Sequence, residues 1–379
     1  MQWNRWAAAV LCAASLWGQL PKEGIPGACT PEQAAAVSGG WLKQPDNLSA
    51  MGQTGLTAPD RAALLAKSDK VLAILRAAYP APRGVNVWHS RWAQGERFGS
   101  LFSFLSTYWI FMEYRCHPNY LGKGPRLIGE ENSDAWIMVD FNWLGQSLQG
   151  ELPSGYELPD GKPIFWTPVE LGPPFRGVPT LKGLIETNTT TLFLSKDGRL
   201  PIRPVTREEI LRVHAAFWRK AKLEEAAKFE KGVARDRELL AKPKNPSQRE
   251  EVYARNQASL KERLEWGLGN QAKSREEADS IPRKVQAQID AMSPAERRSQ
   301  AVTGSPSTHT YMELQFSGVT GSRPLWTFDN AYFGQGTRGK VHFMTVFWRR
   351  VPSSKVKEAA FDEFLAKLDF EALRALIDR

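Results

Sequence analysis

The feature that most constrains this chain is residues 84–144, where three aromatic-loaded segments, GVNVWHSRW, LFSFLSTYWIFMEYRC and DAWIMVDFNWL, read as neighbouring β-strands. In the middle segment the even positions Phe102, Phe104, Tyr108, Ile110, Met112, Tyr114 and Cys116 form an apolar row broken only by Ser106. That is the period of two of a strand with one buried face. Its odd positions mix Leu105, Trp109 and Phe111 with Ser103, Thr107, Glu113 and Arg115. In the third segment the odd set Ala135, Ile137, Val139, Phe141 and Trp143 is wholly apolar, while Trp136, Met138, Asp140 and Asn142 share the other side. The pattern predicts a sheet with one apolar face and one face on which tryptophan stands beside charged and amide groups.

The rest of the chain is arranged around those strands. Thr57 with Asp60 forms a capping box and Pro59 suits a first helical turn, so a helix is expected through Leu64, Leu65, Val71, Leu72 and Leu75, ending before Tyr79 and Pro80. Residues 145–180 are dense in Gly and Pro and read as a long loop, with strands resuming at Leu181–Thr187 and Thr190–Lys196. From Thr206 the pattern turns helical. A capping box with Glu209 opens a helix to about Ala241, Lys242 to Pro246 turns the chain, and Ser247 with Glu250 caps the next, with a seam of Val252, Leu260, Leu264 and Leu268. A separate helix is expected over Ser274–Met292 and a short one from Ser293. Strand alternation returns at His309 to Phe316, Leu325 to Phe328 and Val341 to Trp348, and the C-terminus is helical. Strands on both sides of a helical block predict an α+β architecture with a mainly antiparallel sheet, an inserted or appended helical arm and C-terminal helices. The divisions expected are a signal peptide at 1–18, an irregular lead-in at 19–56, an aromatic-rich core at 57–205, the arm at 206–302, and returning strands and helices at 303–379. Two α+β domains divided near 205 are the rival arrangement.

The N-terminus predicts the compartment. MQWNR supplies a short positive region and WAAAVLCAASLW an apolar stretch too short to span a bilayer, the layout of a secretory signal cleaved near Gly18. The residues before Cys12 do not form a lipobox. The mature chain then keeps Cys29 and Cys116, which in an oxidising compartment invite a disulfide worth about 3–5 kcal/mol on the chain-entropy picture; the alternative is that Cys116 packs as a small hydrophobe. A net charge of +9 spread without a concentrated Lys/Arg run fits neighbours such as anionic envelope polymers and argues against a nucleic-acid stripe.

Chemistry is sparsely marked. If the aromatic strands are adjacent, Trp109, Glu113 and Arg115 on one and Trp136, Asp140 and Asn142 on the other form an indole platform with polar neighbours, suited to a glycan, a lipid or another amphipathic ligand. Glu113 and Asp140 as a carboxylate pair would make a glycan hydrolase the alternative, and docking of a protein partner through the helical arm a third reading. The same side chains also serve as rim residues and packing under a loop or the arm. His309 and Glu313 lie four positions apart on a strand, about 13 Å, too far to share an ion, so no metal site and no cofactor is expected. No G-x-S-x-G elbow, redox cysteine pair or phosphate loop is present, and the segment FGQGTRGK reads as a hairpin turn.

Overall fold

The computed structural model describes residues 24–53, 56–94, 104–144, 156–165, 170–182, 188–303, 322–333 and 339–378. The expected signal peptide, the strand carrying His309 and Glu313, and most of the glycine-rich turn lie outside them. The chain divides into two compact units, one of Met1–Gln149, Thr167–Ile202 and Phe328–Arg379, the other of Gly150–Trp166 and Arg203–Thr327, so the second is inserted in the sequence of the first.

The first unit is built on a sheet of ten strands: β1 (Ile25–Pro26), β2 (Trp41–Lys43), β3 (Val85–Gln94), β4 (Phe104–His117), β5 (Arg126–Gly129), β6 (Trp136–Phe141), β7 (Glu170–Phe175), β8 (Val178–Lys182), β9 (Thr189–Leu194) and, past the insertion, β14 (Met344–Arg349). β4 is its axis. One side pairs with β3 over its length, and the other pairs with β6 from Ser106 to Ile110 and then with β5 from Tyr114 to His117. Beyond β6 come β14, β9, β8 and β7, all antiparallel, while β2 joins β3 in parallel. This is the mainly antiparallel α+β architecture the strand pattern predicts.

One face of the sheet carries the main core. Helix α1 (Pro31–Ala35) lies in the lead-in and α2 (Ala58–Ala78) comes after it, opening on the expected Thr57–Asp60 capping box and closing at Tyr79. α2 buries Leu64, Ser68, Val71, Leu75 and Ala78, a three-and-four spacing that keeps one stripe on the sheet. Against the same face lie Ala360, Phe361, Phe364 and Leu365 of a C-terminal helix and Phe370 and Leu373 of the next. They meet Leu105, Trp109 and Phe111 of β4 and Ile137, Val139 and Phe141 of β6. Phe111 and Phe361 have ring centroids 4.5 Å apart, and Ser68 and Thr107 share a hydroxyl hydrogen bond of 2.7 Å. The odd positions of β4 therefore enter the core, not the even ones as the alternation suggested. β4 carries apolar side chains on both faces, and such a strand loses the contrast on which the alternation rule depends.

Residues expected to be irregular are ordered into the sheet. The lead-in forms β1, α1 and β2, and Trp41 Nε1 donates to the Tyr79 carbonyl at 2.9 Å. Cys29 and Cys116 lie at disulfide-bonding distance, with Cα atoms 5.6 Å apart, tying the lead-in to the end of β4. Within the expected loop 145–180, ELGPPF is an edge strand, where prolines remove no needed ladder bond, and it turns into β8 through Arg176 (φ 49°) and Gly177 (φ 80°). The Arg176 guanidinium bonds the carbonyls of Leu365 and Leu368.

The second unit is a helical hairpin on a small base. β10 (Ile202–Pro204) pairs with β13 (Trp326–Phe328), and β11 (Val302–Thr303) with β12 (Arg323–Pro324). The base core gathers Tyr156, Leu158, Ile164, Val205, Ile210, Leu211, Val213, Ile281, Val285, Ile289 and Leu325. From it run α3 (Arg207–Ala241), with the expected Thr206–Glu209 box, and α4 (Glu250–Ala291), followed by the short α5 (Pro294–Arg298). The two helices expected over 247–292 are one. Gly267 and Gly269 lie inside α4, where each glycine costs an interior turn only about 1 kcal/mol, and Gly267 lets α4 close on Val233, 3.0 Å from where a Cβ would stand. Arg249, not Ser247, occupies the N-cap, because Ser247 bonds Asn245 in the connecting turn. In the first unit the chain then forms α6 (Asn330–Phe333), α7 (Lys355–Lys367) and α8 (Phe370–Arg374).

The junction of lead-in, β3 and α7 turns on Gly84. Its φ is +68°, and a Cβ there would stand 2.6 Å from Val356 Cγ1 and 2.9 Å from the Ala35 carbonyl oxygen. Gly84→Ala is expected to destabilise the protein by roughly 2–4 kcal/mol, read as a lower urea midpoint.

Candidate functional site

The register decides which predicted residues can meet. Ser106 stands opposite Asp140, Tyr108 opposite Met138, Trp109 opposite Ile137 and Ile110 opposite Trp136. Directly opposed residues share a face. Trp109 therefore points into the core with Ile137 and is 1% exposed, while Trp136 and Asp140 point the other way. The single platform expected from Trp109, Glu113, Arg115, Trp136, Asp140 and Asn142 does not form.

Glu113 and Arg115 continue the core-facing side of β4 to its end. There Glu113 Oε2 accepts from Ser354 Oγ at 2.8 Å, and Arg115 pairs with both Glu113 and Glu130. Glu130 is paired in turn with Lys357 at 2.6 Å, whose side chain is 3% exposed. Ser354 is also the N-cap of α7. This network fastens a helix to a strand end, and every charge in it is matched. It also removes the carboxylate pair, because Glu113 and Asp140 stand on opposite faces of the sheet and no glycosidic bond can lie between them. Asn142 is a backbone brace. It has φ 58°, its Oδ1 accepts from the His342 N–H at 2.7 Å, and its Nδ2 donates to the Lys340 carbonyl at 2.7 Å.

The second face of the sheet, by contrast, is a coherent surface. Across β4, β6 and β14 one row reads Ser106, Asp140, Thr345, the next Tyr108, Met138, Phe347, and the next Ile110, Trp136, Arg349. β3 adds Ser90 beside Tyr108 and Trp88 beside Ile110. Met138, Trp143 and Phe347 are buried together, with Tyr108 and Trp136 half-buried against them, and the Trp136 and Phe347 rings stack at 4.7 Å. At the far side Phe193 packs on Phe343, 5.5 Å between centroids, beneath Tyr332 of α6. The half-open part is thus Trp88, Tyr108, Ile110 and Trp136. Trp88 Nε1 is a buried donor with no partner among the described residues.

Asp140 lies under this patch and is wholly buried. Burial pushes its pKa up to about 7, partly opposed by hydrogen bonds from Ser106 and Thr345. Ser106 Oγ donates to Asp140 Oδ1. Thr345 Oγ1 faces both Asp140 Oδ2, to which it donates at 3.4 Å, and the Trp143 carbonyl at 3.0 Å. The arrangement offers apolar and aromatic area around a buried polar row. Among the described residues no three His, Cys, Asp or Glu side chains gather to hold a metal.

The sequence signal for this row was Ser106, the one polar residue in the even positions of β4. Its meaning needed the register, which puts Asp140 opposite it. Tyr108, Ile110 and Trp88 could not be separated from core residues by type, and Thr345 and Phe347 come from a strand some 200 positions away, as the Asp140–Thr345 separation of 205 illustrates.

Because the folded pKa of Asp140 is above the unfolded 3.8, its contribution to stability is fully present below about pH 4 and is lost as pH rises to about 7. Asp140→Asn keeps a donor and an acceptor without titrating. Unfolding by urea between pH 4 and pH 8 is expected to show wild type losing about 4 kcal/mol relative to this variant across that window.

In comparisons with known proteins, no family model, no curated protein and no solved structure matches the chain.

Proposed function

We propose that this is an exported binding protein that holds a small amphipathic ligand on the second face of its sheet. One observation carries the reading: a half-open aromatic patch of Trp88, Tyr108, Ile110 and Trp136 bordered by the Ser106–Asp140–Thr345 row. Soluble proteins usually cover such a patch unless it meets a partner, and flat aromatics beside a polar row suit a sugar ring or an acyl chain next to a hydrogen-bonding group. A neutral carboxyl beneath the patch favours uncharged or zwitterionic ligands over anions, since raising the pH through 7 would place a negative charge there.

Export to the periplasm or beyond is supported by the apolar N-terminal stretch and by Cys29 and Cys116 at bonding distance. No helix among the described residues is long and apolar enough to cross a membrane. A glycan hydrolase draws no support from the carboxylates, given their opposite faces.

The test is a thermal-shift and tryptophan-fluorescence titration with N-acetylglucosamine oligomers, a medium-chain fatty acid and a lysophospholipid. A ligand at about 100 times its dissociation constant should stabilise the protein by about 2.7 kcal/mol. Trp136→Ala and Tyr108→Ala, both at half-buried sites, should each weaken binding about tenfold or more while the far-ultraviolet spectrum is kept. Binding that both variants retain at full strength would move the site elsewhere, and no response to any probe would remove the reading.

A further inference from the structure

The second unit carries a surface that its own fold does not use. Along the hairpin the helices touch through a thin seam of small side chains, Ala226 and Val233 on α3 against Gly267, Ser274 and Ala278 on α4. Between the helices opens a groove lined by Lys228, Phe229, Gly232, Arg235, Arg263 and Trp266. Trp266 is 61% exposed, the most exposed indole on the described surface, and its ring stands edge-on to Phe229 at 5.4 Å. Gly232 leaves the floor open, with no atom within 4 Å of where a Cβ would lie. Lys228, Gly232 and Arg235 recur at helical spacing, so both cations flank that opening on one side of α3.

The charge of the groove is unbalanced. Its one carboxylate, Asp236, is buried and taken by Arg263, whose Nε donates to it at 2.7 Å. Arg235 lies near enough to Asp236 to help Arg263 hold its carboxyl low, and Lys228 forms no ion pair among the described residues. The result is an aromatic wall, an open glycine floor and three cations against one buried carboxylate.

We propose that this groove docks an acidic peptide segment of a partner protein, with an apolar side chain of the peptide set against Trp266 and Phe229 and its carboxylates on Lys228 and Arg235. Tryptophan and arginine are the residues that dominate the energy of such contacts, and rim charges set their selectivity. The concave shape and the exposed Glu262 and Glu265 on the same helix disfavour an anionic bilayer, which would meet the whole arm at once; a short peptide meets only the groove.

The test uses the full chain and a fluorescein-labelled peptide with a central leucine–phenylalanine pair between runs of glutamate, followed by anisotropy. Saturable binding is expected that weakens with salt, is absent for the lysine-flanked counterpart, and falls about tenfold in Trp266→Ala and again in the charge reversal Arg235→Glu. Both positions are exposed, so helicity should persist; should Trp266→Ala lose it, Arg235→Glu alone decides. Failure of the acidic peptide to saturate, equal binding by the variants, or preferential binding to phosphatidylglycerol vesicles overturns the proposal. So does self-association of the chain that Trp266→Ala abolishes, which would make a second copy the occupant.

Discussion

The contact between Ser106 and Asp140 governs the layout of the first unit. Opposing these two residues fixes the register of β4 on β6, and a shift by one position would turn every side chain of β6 to the other face. Val139 and Ile137 would then leave the core, and Asp140 would enter it. The polar pair is thus a register mark inside an apolar sheet. Burial of its carboxyl is tolerable because Ser106 and Thr345 hydrogen-bond to it and burial raises its pKa to about 7.

Architecture was largely legible from the residues and the site only partly. Capping boxes at Thr57, Thr206 and Ser293 marked helix starts correctly because the two reciprocal bonds are local and need nothing from the fold. The odd face of β6 also read correctly, since all of its members are apolar. Trp109 was misplaced for a different reason: its strand is apolar on both sides, and indole suits a core as well as a cleft. Glu113 and Arg115 gave no sign that Glu130, Lys357 and Ser354 would claim them, for those partners are distant in the chain. Pro173 and Pro174 concealed a strand, because an edge position makes proline harmless where a central one would not.

The two units are stabilised by different means. The first stacks helices on a broad sheet and buries large aromatics such as Trp109, Phe111, Phe141 and Phe361. The second keeps a compact apolar base and extends a hairpin whose outer reach depends on close approach at Gly267 and on ion pairs between helices, Asp236 with Arg263, Glu230 with Arg275 and Lys222 with Glu277. Of these, the Glu230–Arg275 pair is exposed at both ends, so it adds little and salt screens it. The base is therefore the durable part of that unit and the hairpin its responsive part.

The proline pair in β7 has one more consequence. A sheet of this width ends in rows of unpaired amides, and such rows recruit strands from other molecules. At one border the outermost strand carries Pro173 and Pro174 at an irregularity in its pairing, so two donors are missing and the ladder cannot be copied onto it. At the other border β2 presents only three residues. The aromatic sheet is in this way denied a template for lateral growth at these two borders.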